Sequence, residues 1–335
     1  MYPTKDDILS IMRMIIDKEL NKKATLQQAT YNDQKLLIRQ LFDPKMGYNK
    51  GIIMLRLVVI DSLYSTNAAY SYFSIDEMAD KIYNLLGKSE KGARQYFYDI
   101  VCGLTDKHNL FQEPFGIQKN LSEGSRQMSL LSKYAYYALD GDKQKYPLGF
   151  PIYDSLAIES YPTVCKILDI PRQTKITDDI CKYVEALDIV RQKLFGNDEL
   201  FEDYQQFDIL DAYLWRMGKF SGGNLSLLLG RVDYVKFVKN LGLDKVKIID
   251  YENEKFDFND MVVRLYKEEN AKPFAQTSCE DYMDALLKHW RAFNHVKETK
   301  SASYAKTTHK QQMINTPTKG KIHKINNVSI NIVKK

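Results

Sequence analysis

An all-α fold is predicted by three features of this 335-residue sequence. Apolar residues recur at three- and four-residue spacing in segment after segment. Capping signals precede two of those segments. No run of alternating strands and no regular strand–helix succession interrupts them. With 44% hydrophobic and 12% aromatic residues, the chain has material for one large core or two closely packed lobes. Charged residues at 27%, without low-complexity bulk, exclude wholesale disorder.

Taken in order, Ile8, Met12 and Ile15 predict the first helix, with Thr4 and Asp7 placed to cap it. Ser74-Ile-Asp-Glu77 is a capping box leading into Met78, Ile82 and Leu85, with Gly87 as the stop. The next helix carries Leu130, Leu131, Tyr134, Ala135 and Ala138. Ile180, Val184 and Leu187 repeat the pattern, as do Met261 with Leu265 and the set Tyr282, Leu286, Trp290 and Phe293. Within 207–220, Leu210, Tyr213, Leu214 and Met217 form a stripe with Trp215 beside it, predicting a docked helix that ends at Gly218. Only 245–250 and 325–333 read as β-prone. Connections are expected at 141–151 and 196–205.

Charge is distributed unevenly. The net charge is +5, yet no Asp or Glu follows Glu298, while eight lysines do. Residues 1–298 therefore carry +5 − 8 = −3, and 299–335 read as a basic, flexible tail on a helical body. The four cysteines, at 102, 165, 181 and 279, show neither close pairing nor metal-ligand spacing, which fits a reduced, cytoplasmic protein. Apolar stretches such as 52–55, 57–60 and 225–230 are far below the roughly 20 residues that span a bilayer. No membrane partner, metal or cofactor is expected, and a monomer is.

Familiar signatures fail on inspection. Residues 218–224 are Gly-rich but lack the order of a phosphate-binding P-loop. The acidic run 250–260 lacks the central glycine of a calcium loop. His289 and His295 flank Trp290 and read as a solvated helix edge. The aspartates in the 140–142 turn, Asp140 and Asp142, read as solvent-facing beside Lys143 and Lys145.

Residues 129–156 stand out. A helix ends, a hydrophilic turn follows, and a Pro-aromatic segment delivers Asp154 just ahead of another helix. Pro151 restrains the residue before it to extended geometry. Free amides of the following helix would hold the Asp154 carboxylate ionised and oriented. Read from the residues alone, Asp154 is either an N-cap or a functional carboxylate.

FPIYDS (150–155), preceded by SLLSKYAYYAL (129–139), resembles the core of the helix-hairpin-helix base-excision DNA glycosylases. The resemblance covers 56–165, with 166–298 as additional helical region. It implies a mostly helical, two-lobed fold and makes Asp154 the catalytic aspartate. It places Lys133 where the lyase-capable branch carries its lysine, as a Schiff-base nucleophile or, the reading favoured here, a phosphate or base contact; read from the residues alone, Lys133 is a solvated lysine or a phosphate anchor. The turn Tyr64, Ser65, Thr66 and Asn67 would touch DNA, as would Ser125, Arg126, Ser129 and Ser132 in and after the hairpin. That hairpin departs from the family pattern, with one glycine, Gly124, and no proline. An extruded base asks for an aromatic pocket, for which Tyr136, Tyr153 and Trp215 are the candidates.

The implied activity is hydrolysis of the N-glycosidic bond of a damaged or modified base, in repair or in defence against phage DNA. The partner is DNA. Two alternatives stay open: a catalytically silent nucleic-acid-binding or protein-interaction relative using Asp154 only as a cap, and an unrelated helical scaffold.

Overall fold

The structure, a computed structural model, describes residues 3–17, 35–64, 66, 74–86, 110–116, 125–140, 146–196, 201, 205–221, 231–240, 272, 274–275 and 280–296. The chain divides into residues 1–296, which hold every described residue, and 297–335. Helices dominate the first: α1 (Lys5–Ile15), α2 (35–41), α3 (Lys50–Tyr64), α4 (Ser74–Leu86), α5 (Met128–Asp140), α6 (Ser155–Ile167), α7 (Ile180–Phe195), α8 (Gln206–Ser221), α9 (Arg231–Asn240) and α10 (280–296). The described residues hold a single sheet, β1 (Pro114–Phe115) antiparallel to β2 (Ser125–Arg126). No helix among them is long and apolar enough to cross a membrane.

The expected helix starts follow from local chemistry. At α1, Thr4 Oγ1 accepts from Asp7 N at 3.3 Å while Thr4 N donates to the Asp7 carboxylate at 2.7 Å, a reciprocal capping box. Ile8, Leu9, Ile11, Met12 and Ile15 are then buried on one face. Helix α4 begins at Ser74 and ends at Leu86, one residue before the glycine expected to stop it. In α10, all four predicted apolar residues, Tyr282, Leu286, Trp290 and Phe293, are buried.

Helix α8 is the axis of the body. It packs against α6, α1 and α7, while α3 packs against α4 and α5. The α6–α8 contact is close because small groups meet there. Ser160 Oγ donates to the Leu214 carbonyl at 3.1 Å, and Gly218 lies against Leu156 in the first turn of α6. A Cβ at Gly218 would stand 2.4 Å from the Leu156 Cβ, nearer than unbonded carbons approach. The helix consequently does not end at Gly218. It runs on to Ser221, and the glycine serves helix packing.

A second junction holds α2 and the following turn to α3. Arg56 is fully buried, its guanidinium between the rings of Phe42 and Tyr48 at 4.8 and 4.9 Å. It donates to the carbonyls of Leu41 at 2.7 Å and Gly47 at 3.1 Å, so the charge is met by oxygen lone pairs and ring faces.

Other expectations change. Directly ahead of α5 stands strand β2, paired Phe115 to Ser125 and Pro114 to Arg126. His289 is not on a solvated edge: it is buried and shares a 2.7 Å hydrogen bond with the Tyr213 hydroxyl, whereas His295 is exposed. Asp140 is not solvent-facing either, because Arg39 of α2 covers it with a 2.5 Å ion pair. The β-prone segments 245–250 and 325–333, Met261, Leu265, Asp142, Gly124 and the tail lie outside the described residues.

Candidate functional site

Asp154 is placed by a clamp on the segment before it. The Ile152 carbonyl accepts from the Tyr183 hydroxyl of α7 at 2.7 Å. The Tyr153 amide donates to Ser132 Oγ of α5 at 2.9 Å. The backbone then reaches Asp154 extended, at φ −133° and ψ 138°, and its carboxylate accepts from Leu156 N at 2.8 Å. The cap is real, and Asp154 keeps part of its surface accessible.

Lys133, one residue from the clamping Ser132, is 3% exposed. Its amine reaches Ser129 Oγ at 2.7 Å and the Ser129 carbonyl at 3.4 Å, and stands 5.5 Å from the centre of the Tyr64 ring. Burial lowers its pKa, opposed by the charges of Asp154 and Asp211. Yet neither carboxylate forms an ion pair with it. A solvated lysine is therefore ruled out: this amine is dry, near two acids, and paired with neither.

Asp211 belongs to α8. Successive three- and four-residue steps align Asp208, Asp211, Trp215 and Lys219 on one stripe of that helix. Burial pushes the Asp211 carboxyl up to about 8, helped by the charges of Asp154 and Asp208 and opposed by Lys133 and Lys35. Its Oδ1 is shut off from solvent and has no hydrogen-bond partner. Asp208 accepts from the Tyr136 hydroxyl at 3.0 Å, with Lys35 3.9 Å away. Lys219 stacks over Trp215 at 5.1 Å; burial lowers its pKa against the pull of Asp154. Two amines and a second carboxyl thus lie within electrostatic reach of the capping aspartate.

The remaining predicted residues separate into groups. Tyr64 joins the cluster, its hydroxyl 2.5 Å from that of Tyr137 and its ring beneath Lys133. Ser129 does too, through Lys133. Ser132 is fully buried, so it does not face DNA; it positions the Asp154 segment. Thr66 is tied to the Asp61 carboxylate, and Arg126, exposed, donates to the Asp178 carbonyl at 2.9 Å. Ser65 and Asn67 lie outside the described residues, and Ser125 is described only as backbone of β2. Tyr136 is buried, its hydroxyl on Asp208 and its ring edge-on to Tyr137 at 4.9 Å. Tyr153 is half-buried, its ring 5.1 Å from Tyr183 and its hydroxyl on the Thr177 carbonyl at 3.2 Å. Trp215 is half-buried on the α8 stripe.

Asp211, Lys219, Asp208 and Tyr183 escaped the sequence reading. For the three on α8 the signal available was Asp208, Asp211 and Lys219 falling, with Trp215, at three- and four-residue steps of a helix otherwise read for its apolar stripe.

No protein-family model, no curated protein and no solved structure matches the chain.

Proposed function

We propose that the chain is a DNA N-glycosylase that removes a damaged or modified base, with Lys133 and Asp154 as its reacting groups. The observation that carries this reading is one arrangement: a dry lysine free of ion pairing, within electrostatic reach of a helix-capping aspartate whose segment is tied to Ser132, the lysine's neighbour in the chain. Breaking an N-glycosidic bond develops positive charge on the sugar. The Asp154 carboxylate, oriented by the Leu156 amide, stabilises that charge and accepts a proton from the attacking nucleophile. A buried amine of lowered pKa is neutral in a larger fraction of molecules near pH 7, as attack on the sugar carbon requires. Desolvation thus favours the nucleophile over the phosphate contact for Lys133. The reading brings with it a two-lobed, glycosylase-like body and a divergent hairpin, and a role in repair or in defence against modified phage DNA.

The cap bond itself favours a second reading, an inactive relative in which Asp154 only starts α6. One experiment separates the two. The full chain is incubated with modified duplexes and phage genomic DNAs, and free base is read by mass spectrometry, with borohydride added to trap a covalent adduct. The glycosylase reading expects base release, an adduct lost in Lys133→Ala, and a fall of about 10²-fold or more in Asp154→Asn. Folding survives Asp154→Asn because asparagine caps helices as well as aspartate. Normal turnover by Asp154→Asn, or no base from any substrate, rejects the proposal.

A further inference from the structure

Asp211 is the one buried acid of the cluster without a structural task. Asp154 caps α6, and Asp208 holds the Tyr136 hydroxyl and faces Lys35. Asp211 does neither: its Oδ1 is sealed from solvent with no donor within reach, and it forms no ion pair. A buried carboxylate without donors is costly, whereas a carboxylic acid in the same place is cheap and has a proton to give. The residue nevertheless keeps some accessible surface, on the α8 stripe shared with Trp215 and Lys219. Gly218, on the same helix, presses against Leu156 two residues after Asp154, which brings this end of α8 to the start of α6.

We propose that Asp211 is the general acid of this site, protonating the base as it departs. The inference rests on the glycosylase reading and adds to it a requirement on the substrate: the extruded base presents a hydrogen-bond acceptor, a ring nitrogen or exocyclic oxygen, to α8. Two carboxyls then divide the work by environment. Asp154 accepts from an amide and serves the sugar, while Asp211, whose Oδ1 has no donor, brings the proton to the base. In the step itself the C1′–N bond breaks and its electron pair passes to the base. The Asp211 O–H bond breaks and its proton goes to the base acceptor, so the base leaves uncharged. The new bond at C1′ comes from the Lys133 amine or a water oxygen, whose surplus proton passes to Asp154. Solvent reprotonates Asp211 after release.

The upward shift of the Asp211 carboxyl to about 8 agrees with this role. Among the described residues, the charged groups acting on it are Lys133 from α5, Asp154 at the start of α6, Lys35 from α2 and Asp208 on its own helix, with the Tyr183 phenol of α7 also within electrostatic reach. Helices α1 and α10 meet α8 on its Tyr213 side, where the ionisable groups are Asp7 and His289.

The test is the pH profile of single-turnover base release by the full chain, for wild type, Asp211→Asn and Asp211→Glu, on whichever duplex the wild type processes. A wild-type rate that declines as pH rises through about 8 is expected. Asp211→Asn is expected to be slower by about 10²-fold at neutral pH, with unchanged duplex affinity and without that decline. Asp211→Glu, which restores a carboxyl, regains part of the rate and a declining limb. Asp211→Asn as fast as wild type, or slow with the limb intact, overturns the role of Asp211 while base release by the wild type keeps the glycosylase reading. A melting transition identifies an unfolded Asp211→Asn form, and an Asp211→Glu form that folds without the limb then overturns the proposal. No base release by wild type from any duplex removes the glycosylase reading and this inference with it.

Discussion

His289 shows how one side chain couples folding to pH. It sits on α10 against Tyr213 of α8, and burial lowers its pKa to about 4 despite the partial pull of Asp7 on α1. The folded state therefore holds the imidazole neutral while the unfolded chain protonates it near 6.5. A depressed folded pKa contributes stability that is complete above about 6.5 and lost as pH falls through 4. The loss amounts to about 3 kcal/mol over that interval. His289→Gln retains a hydrogen-bonding group for Tyr213 and removes the titration. Urea unfolding at pH 7 and pH 4 is expected to show wild type losing about 3 kcal/mol more than this variant between the two. Equal losses in both proteins would locate the acid sensitivity elsewhere. Ser132 makes the complementary point about residues: its hydroxyl, one position from Lys133, ties the Tyr153 amide and so sets where Asp154 begins its helix.

At the level of elements, the distance between the two carboxyls depends on how closely α8 lies on α6. Gly218 sets how closely the two helices approach there, because its missing side chain leaves room for Leu156. In Gly218→Ala the new methyl would meet both the Leu156 Cβ at 2.4 Å and its backbone at 2.9 Å, so side-chain rotation cannot relieve the clash. Helix propensity favours alanine by about 1 kcal/mol, but overpacking costs about 1–3 kcal/mol. The expected balance is a lower melting temperature together with slower base release, as Asp211 moves away from Asp154. Calorimetry and single-turnover rates measure the two effects. A Gly218→Ala protein more stable than wild type would show that the α6–α8 contact yields without strain.

For the whole molecule, the division at residue 296 separates folding from electrostatics. The body carries the core and the candidate site, while the eight lysines from Lys300 onward belong to 297–335. A chain ending at Val296 is expected to melt as the full chain does. Its DNA affinity is expected to fall, with the slope of log K against log salt reduced by up to about 8 if every lysine removed, Lys297 included, met a phosphate. Titrations at several salt concentrations test this, and an unchanged slope would assign DNA binding to the body alone. The body's own charge of −3 over residues 1–298 makes such an outcome informative, since contacts there would have to be local.

Local order was legible in the sequence because it depends on neighbours three or four positions apart. Spacing located α1, α5, α7 and α10, Thr4 with Asp7 announced a cap, and the residues around Pro151 announced Asp154 at the start of α6. Whether a polar residue is wet or dry depends on what lies across from it, and only packing decided that. Lys133 is dry because α5 turns that face inward, Asp140 is covered by an arginine 101 positions away, and His289 meets a tyrosine 76 positions away. The gathering of Lys133, Asp154 and Asp211 from three helices has the same origin. Sequence spacing fixed each residue's place on its own helix, while burial and the close α6–α8 approach made them one electrostatic unit.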